Sequence, residues 1–228
     1  MSDAYNGDVK IHFEVSGAGA ALLLLPGLGV DVRDMRLLVK QFAENRTVVA
    51  VDNRGAGLSD KPNKPYTIEL MAADAVAVLD AAGIQRTSVL GFSMGGRIAL
   101  HLALTYPQRV DKLVLIATGA RTIPTWSRNM LFAISPHLPF GPKPRQPVFA
   151  FKRQRAASQG YDARGRLKEV RAPTLILHGR TDRISPPKLA EELHAGIPAS
   201  RLQWYDGGHI SPILKPTPIT DAARAFLT

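Results

Sequence analysis

The sequence predicts a doubly wound α/β fold on a mostly parallel sheet, with a short, Pro-rich, basic insertion. Three observations carry that expectation. Short β-type runs alternate with longer stretches of helical period along most of the 228 residues. Several of those runs (LLLL, VVAV, LVLI, LILH) are continuously apolar, as strands are when helices cover both faces of a parallel sheet. Residues 121–171 alone break the rhythm.

The first strand is expected at 9–15, where VKIHFEV alternates apolar and polar residues, a pattern suited to an antiparallel or edge strand. Further strands are expected at 21–25, 47–52, 88–92, 112–117, 174–178 and 202–205. Between them, apolar residues recur at three- and four-residue spacing over 34–44, 67–82, 94–106, 187–195 and 217–227, the period of helices buried on one face. Thr67 is placed to cap the second of these helices and Gly83 to end it. There is no internal repeat.

In residues 121–171, Pro124, Pro136, Pro139, Pro142, Pro144 and Pro147 exclude one long helix. Eleven Lys and Arg stand there against Asp162 and Glu169, a local balance of +9 in a chain of net charge +10. The expected layout is therefore a core from two parts, 1–120 and 172–228, interrupted by a reduced lid with two or three short helices at 121–171.

Composition narrows the chemistry. The chain has no Cys, which excludes disulfides, thiolate nucleophiles and Cys-ligated zinc. Its most apolar run, 20–26, is too short to span a bilayer. The first ten residues carry Asp3 and Asp8 and no apolar stretch, so no secretory leader is read and a cytoplasmic protein is expected. The net charge would suit nucleic acid or an anionic membrane, but it is concentrated in a segment with no binding motif. Neither partner is expected.

The strongest chemical signal is Gly91-Phe92-Ser93-Met94-Gly95-Gly96, which follows an expected strand and opens an expected helix. So tight a turn needs Gly91 and Gly95 to lack side chains, and it holds Ser93 with its hydroxyl exposed. A serine requires a base. Of six histidines, His12, His101, His137, His178 and His194 lie in strands, helices or the insertion. His209 lies in the loop Asp206-Gly207-Gly208-His209 after the last strand, where parallel sheets build their sites. Asp182, ending the run LHGRTD, is the expected acid; Asp206 is a rival too close in sequence to His209 to reach its far nitrogen. The backbone N–H of Met94 and, from the turn Leu25-Pro26-Gly27-Leu28-Gly29, that of Leu28 are the expected oxyanion donors, with Gly29 as the alternative. Gly27, Leu28, Met94 and Trp126 are the expected substrate contacts.

LPGLG, VDNRGAGLS from Val51, GFSMGG, HGRTD and GGH stand in the order and spacing of the α/β-hydrolase superfamily. The chain most resembles the branch of 3-oxoadipate enol-lactonases, non-haem haloperoxidase/esterases and related carboxylesterases, over most of its length outside 121–171. The resemblance implies a serine hydrolase of small esters or lactones acting through an acyl-enzyme, without cofactor or metal, as a monomer or homodimer. It makes 52–60 a loop supporting the oxyanion turn. Two departures stand out: Pro26 occupies a position where many relatives carry His, and the insertion is shorter than the usual multi-helix lid. Ser93 points away from dehalogenases and epoxide hydrolases, which use Asp there, and from dienelactone hydrolases, which use Cys. Thioester, C–C bond and perhydrolysis chemistry on the same residues, or a non-catalytic ligand receptor of the same fold, are the alternatives. Arg121, Arg128, Arg153 and Arg155 are candidates for drawing in an anionic substrate, unless all of them face water.

Overall fold

Each apolar run of the sequence becomes a strand whose alternate side chains enter two different cores. In the computed structural model, which describes residues 2–123 and 146–228, the strands are β1 (Ser2–Asn6), β2 (Val9–Ser16), β3 (Ala20–Leu25), β4 (Arg46–Val51), β5 (Thr87–Phe92), β6 (Val110–Ile116), β7 (Thr174–Gly179) and β8 (Ser200–Tyr205). They form one eight-stranded sheet in the order β1-β2-β4-β3-β5-β6-β7-β8. The pairs β1/β2 and β2/β4 are antiparallel and all others parallel.

The helices are α1 (Arg36–Ala43), α2 (Ile68–Ala81), α3 (Met94–Thr105), α4 (Val148–Gly160), α5 (Lys188–Gly196), α6 (Ser211–Leu214) and α7 (Thr217–Leu227). Leu23 and Leu25 of β3 join Val49, Val51, Leu113 and Leu115 in the core beneath α2, α3 and α5. Leu22 and Leu24 join Val48, Ala50, Val114 and Ile116 in the core beneath α1 and α7. A strand buried on both faces has no polar parity, which is why these runs read as unbroken apolar sequence. Each buried Leu contributes roughly 1.5–3 kcal/mol, so the central strands anchor the whole layer. At α2 the Thr67 side chain accepts the Leu70 N–H at 3.1 Å. Gly83, just past its C-terminus, adopts φ +69°.

Two elements depart from the sequence expectation. Residues 2–6 form a strand, and it takes the sheet edge, leaving β2 antiparallel but internal. The signal was present: Gly7-Asp8 forms the two-residue loop of a hairpin, with Gly7 at φ +59° in its first position, and Asn6 pairs with Val9. Within the insertion, α4 runs for thirteen residues directly after Pro147, followed by a 3₁₀ turn at Arg164–Glu169. Trp126, Arg128 and His137 lie outside the described residues. Among those described, no helix is long and apolar enough to cross a membrane.

Because β3 and β5 to β8 are parallel, their C-terminal ends share one edge of the sheet. The chain leaves β3 toward β4, then crosses back to β5 on the other side, so the loops after β3 and β5 diverge and leave a crevice. The turn 26–29, Ser93, Asp182 and His209 all follow strands that end at this edge.

Candidate active site

Ser93 joins β5 to α3 at φ +54°, ψ −114°, a region that costs a side-chain-bearing residue of order 1–3 kcal/mol. The surroundings enforce it. A Cβ on Gly91 would overlap the Gly95 carbonyl, and one on Gly95 would overlap the carbonyl oxygens of Leu25 and Pro26. Ser93 N–H donates to Ile116 O at 2.9 Å, and the Thr118 hydroxyl donates to Ser93 O at 2.7 Å. The elbow is thus bonded to the neighbouring strand β6 and the turn beyond it.

The Ser93 hydroxyl meets His209 Nε2 at 2.9 Å, and His209 Nδ1 meets Asp182 Oδ2 at 2.8 Å. An ionised Asp182 can only accept, so Nδ1 carries the hydrogen and Nε2 is left to accept from the hydroxyl. Asp182 is 2 % exposed, and its other oxygen accepts the N–H groups of Ile184 and Ser185 at 2.9 and 2.8 Å. The carboxylate is held from both sides. His209 packs its ring against Phe92, centroids 5.3 Å apart. Asp206 is elsewhere: its side chain is fully exposed, 3.7 Å from Arg180 Nε.

The remaining described histidines have other partners. His12 meets Asp3, His101 meets Thr105 and His194 meets Ser200. His178 is fully buried, donates from Nε2 to Ser185 O at 2.8 Å and stands edge-on to Trp204. Burial pushes its pKa below the ordinary histidine value.

The turn after β3 faces the nucleophile. A Cβ on Gly27 would press on the Phe92 ring at 3.1 Å and on Ser93 Cβ at 3.3 Å, so the turn packs directly against the elbow. The Gly29 N–H donates to Gln154 Oε1 at 3.1 Å, and Gln154 Nε2 donates to Arg54 O at 2.9 Å. Among the described residues, the N–H groups of Leu28 and Met94 make no hydrogen bond. Behind the turn, Asn53 Nδ2 donates to Pro26 O at 2.9 Å, while Asp52 accepts the N–H groups of Val32 and Leu58, each at 2.8 Å. The loop 52–60 is a buttress.

A narrow cleft opens from Ser93 to solvent. Leu28, Met94, Arg97, Thr122, Arg155 and Ser158 are among its lining residues. Arg97 and Gln154 escaped the sequence reading. Each had a faint signal: a charged residue in the otherwise apolar first half of α3, and a polar one at the period of the buried face of α4.

The sequence profile of the alpha/beta hydrolase fold family matches residues 20–155. The chain belongs to that family. As an α/β-hydrolase it is 32 % identical to the human serine hydrolase BPHL over 227 positions, covering 90 % of this chain and 78 % of that protein. It is 31 % identical to 2-hydroxymuconate semialdehyde hydrolase of Pseudomonas sp. strain CF600, covering 87 % of this chain and 66 % of the relative. Est816, described as an N-acyl homoserine lactone degrading enzyme, superposes with a TM-score of 0.87 at 26 % identity, over 99 % of this α/β-hydrolase and all of that chain.

Proposed function

We propose that this α/β-hydrolase is a serine hydrolase that cleaves small carboxylic esters or lactones through an acyl-enzyme on Ser93. The observation that carries the reading is the unbroken hydrogen-bond sequence Ser93–His209–Asp182 at 2.9 and 2.8 Å. In it, Nε2 of His209 takes the hydroxyl proton as Ser93 Oγ attacks the carbonyl carbon, and Asp182 stabilises the imidazolium that forms. The negative charge passes to the carbonyl oxygen, which the N–H groups of Leu28 and Met94 are placed to bind. Removing one such donor typically costs about 10²–10³ in rate. His209 then returns the proton to the leaving alcohol, and water repeats the cycle on the acyl-enzyme. Met94 opens α3, so the positive end of the helix dipole faces the same charge. Residues 121–171 act in this reading as a reduced lid, whose α4 contributes Arg155 and Ser158 to the cleft wall.

Hydrolysis of a C–C bond by the same residues is the second reading, supported by the likeness to 2-hydroxymuconate semialdehyde hydrolase. A panel of short nitrophenyl esters, lactones, thioesters and vinylogous diketones separates the two by relative kcat/KM. A fluorophosphonate is expected to label one site per chain, located by mass spectrometry at Ser93. Ser93→Ala is expected to lower kcat by about a thousandfold or more. Label on another serine, or near-normal turnover by the alanine variant, would refute the mechanism.

A further inference from the structure

A second imidazole stands beside the acid and takes no part in the attack on a carbonyl. His178, in β7, has no exposed surface, and its Nε2 lies 3.7 Å from Asp182 Oδ2. That is the same oxygen His209 Nδ1 meets at 2.8 Å. The longer separation is not a hydrogen bond. The bond His178 does make goes to Ser185 O, at 2.8 Å. A carbonyl only accepts, so the hydrogen sits on Nε2. Nδ1 is buried and makes no hydrogen bond among the described residues. The ring's polar contribution is that one bond.

What the bond holds is the far side of the acid's turn. Asp182 Oδ1 accepts the N–H groups of Ile184 and Ser185 at 2.9 and 2.8 Å. Those donors orient the carboxylate only where residues 184–185 are themselves fixed. Up to Asp182 the backbone is well tied: the N–H groups of Arg180 and Thr181 donate to Tyr205 O and Gly207 O, and that of Asp182 to Gly179 O. The chain there is bonded to β8 and to the loop that carries His209. Beyond Asp182, Pro186 O accepts from Leu189 at the start of α5. Among the described residues, the His178–Ser185 bond is the one hydrogen bond that fastens 183–185 to the sheet. Ser185 gives its N–H to the acid and takes its own hydrogen from His178, so a single residue links ring to carboxylate.

We propose that His178 is a positioning residue that acts through Ser185 to hold Asp182 with Oδ2 turned toward His209. A side chain with no exposed surface meets no substrate, so its effect falls on proton transfer. The direction of the His209 Nδ1–H bond sets where Nε2 points relative to Ser93 Oγ. A misplacement of about 1 Å at such a remove costs about 10²-fold in rate. The catalytic meaning rests on the serine hydrolase reading; the alignment of Asp182 with His209 does not.

Two substitutions of matched polarity and different reach provide the test. In His178→Gln the amide nitrogen stands about as far out as Nε2, whereas in His178→Asn it reaches only as far as Nδ1. His178→Asn is expected to lower kcat on a short nitrophenyl ester by about 10–100-fold with KM changed less than about threefold. His178→Leu, which fills the core without a donor, is expected to behave as His178→Asn. His178→Gln is expected to recover kcat to within about threefold of wild type. His101→Gln, at the histidine of α3, is expected to leave kcat unchanged. The downfield proton resonance of His209 Nδ1–H, assigned by its loss in His209→Gln, reads the alignment without turnover. It is expected to persist in His178→Gln and to weaken or move upfield in His178→Asn. Wild-type kcat and an unaltered resonance in His178→Asn, with only a lowered urea midpoint, overturn the proposal. Equal losses in His178→Gln and His178→Asn overturn it as well. A chain that hydrolyses no ester yet loses the resonance in His178→Asn alone would keep the positioning role and remove the hydrolase reading.

Discussion

Ser93 is held where an ordinary residue would not settle, and the strain is resisted by packing that admits no side chain at positions 91 and 95. The histidine and the acid are held as firmly by hydrogen bonds. Asp182 is buried with three bonds to its carboxylate, from Ile184, Ser185 and His209, whereas Asp206 lies in water. That contrast makes a direct prediction. Asp182→Asn is expected to preserve the fold and lower kcat about 10⁴-fold, because an amide in that place favours the wrong imidazole tautomer and removes the counter-charge. Asp206→Asn is expected to change kcat less than about threefold, since an exposed ion pair with Arg180 is worth little. Steady-state kinetics on both variants, with circular dichroism as the fold control, decides between them; the reverse order of effects would move the acid to Asp206.

Helix α4 shows how an element remote in sequence enters the site. Gln154, fully buried, bridges the Gly29 N–H and the Arg54 carbonyl, so the insertion is bonded to the turn that presents Leu28 and to the loop beneath it. The same bond occupies the Gly29 N–H, whereas the Leu28 N–H makes no hydrogen bond among the described residues. Gln154→Leu keeps the volume and removes both bonds. Leaving a donor and an acceptor without partners is expected to lower unfolding free energy by roughly 1–3 kcal/mol, measured in urea. If the turn is positioned through Gln154, kcat falls more than KM rises, because the loss is felt at the oxyanion. An unchanged kcat with lowered stability would make Gln154 a structural tie only.

Across the molecule, two cores sandwich the sheet, and burial makes two histidines harder to protonate. Burial lowers the pKa of His178 in β7 and of His101 on α3 below the ordinary value of 6.5. The groups around His178 are Asp182, which favours its charge, and His209, which opposes it; around His101, Glu69 favours and Arg166 opposes. In both cases desolvation dominates. Between the folded values and 6.5 the unfolded chain binds protons that the folded chain does not. The stability from these groups is therefore complete above the unfolded value and is lost as pH falls through that window. The urea midpoint is expected to be lower at about pH 5.5 than at about pH 7.5, and the difference to narrow in His178→Gln even though that variant is less stable at both. A midpoint difference that His178→Gln leaves unaltered would assign the acid sensitivity to other groups.

What the sequence determined by itself is everything encoded by period and by backbone necessity. Continuous apolar runs such as LLLL and LVLI specify buried parallel strands, because both faces meet helices. Gly91 and Gly95 specify the elbow, because no other residue clears the carbonyls packed against them. Position after a strand end places Ser93, Asp182 and His209 on one sheet edge, because parallel strands share their direction. The strand at 2–6 was legible only through its Gly7-Asp8 turn, since SDAYN buries just Ala4 and carries no alternation. Tertiary structure decided the rest. Side-chain partners are chosen in space: which carboxylate meets His209, that Gly29 is taken by Gln154, and that Arg97 and Arg155 share one cleft while Arg121 turns to Glu192. The partners in those contacts lie between 27 and 125 residues apart. No local pattern encodes such a pairing, because it exists only once the sheet has brought the loops together.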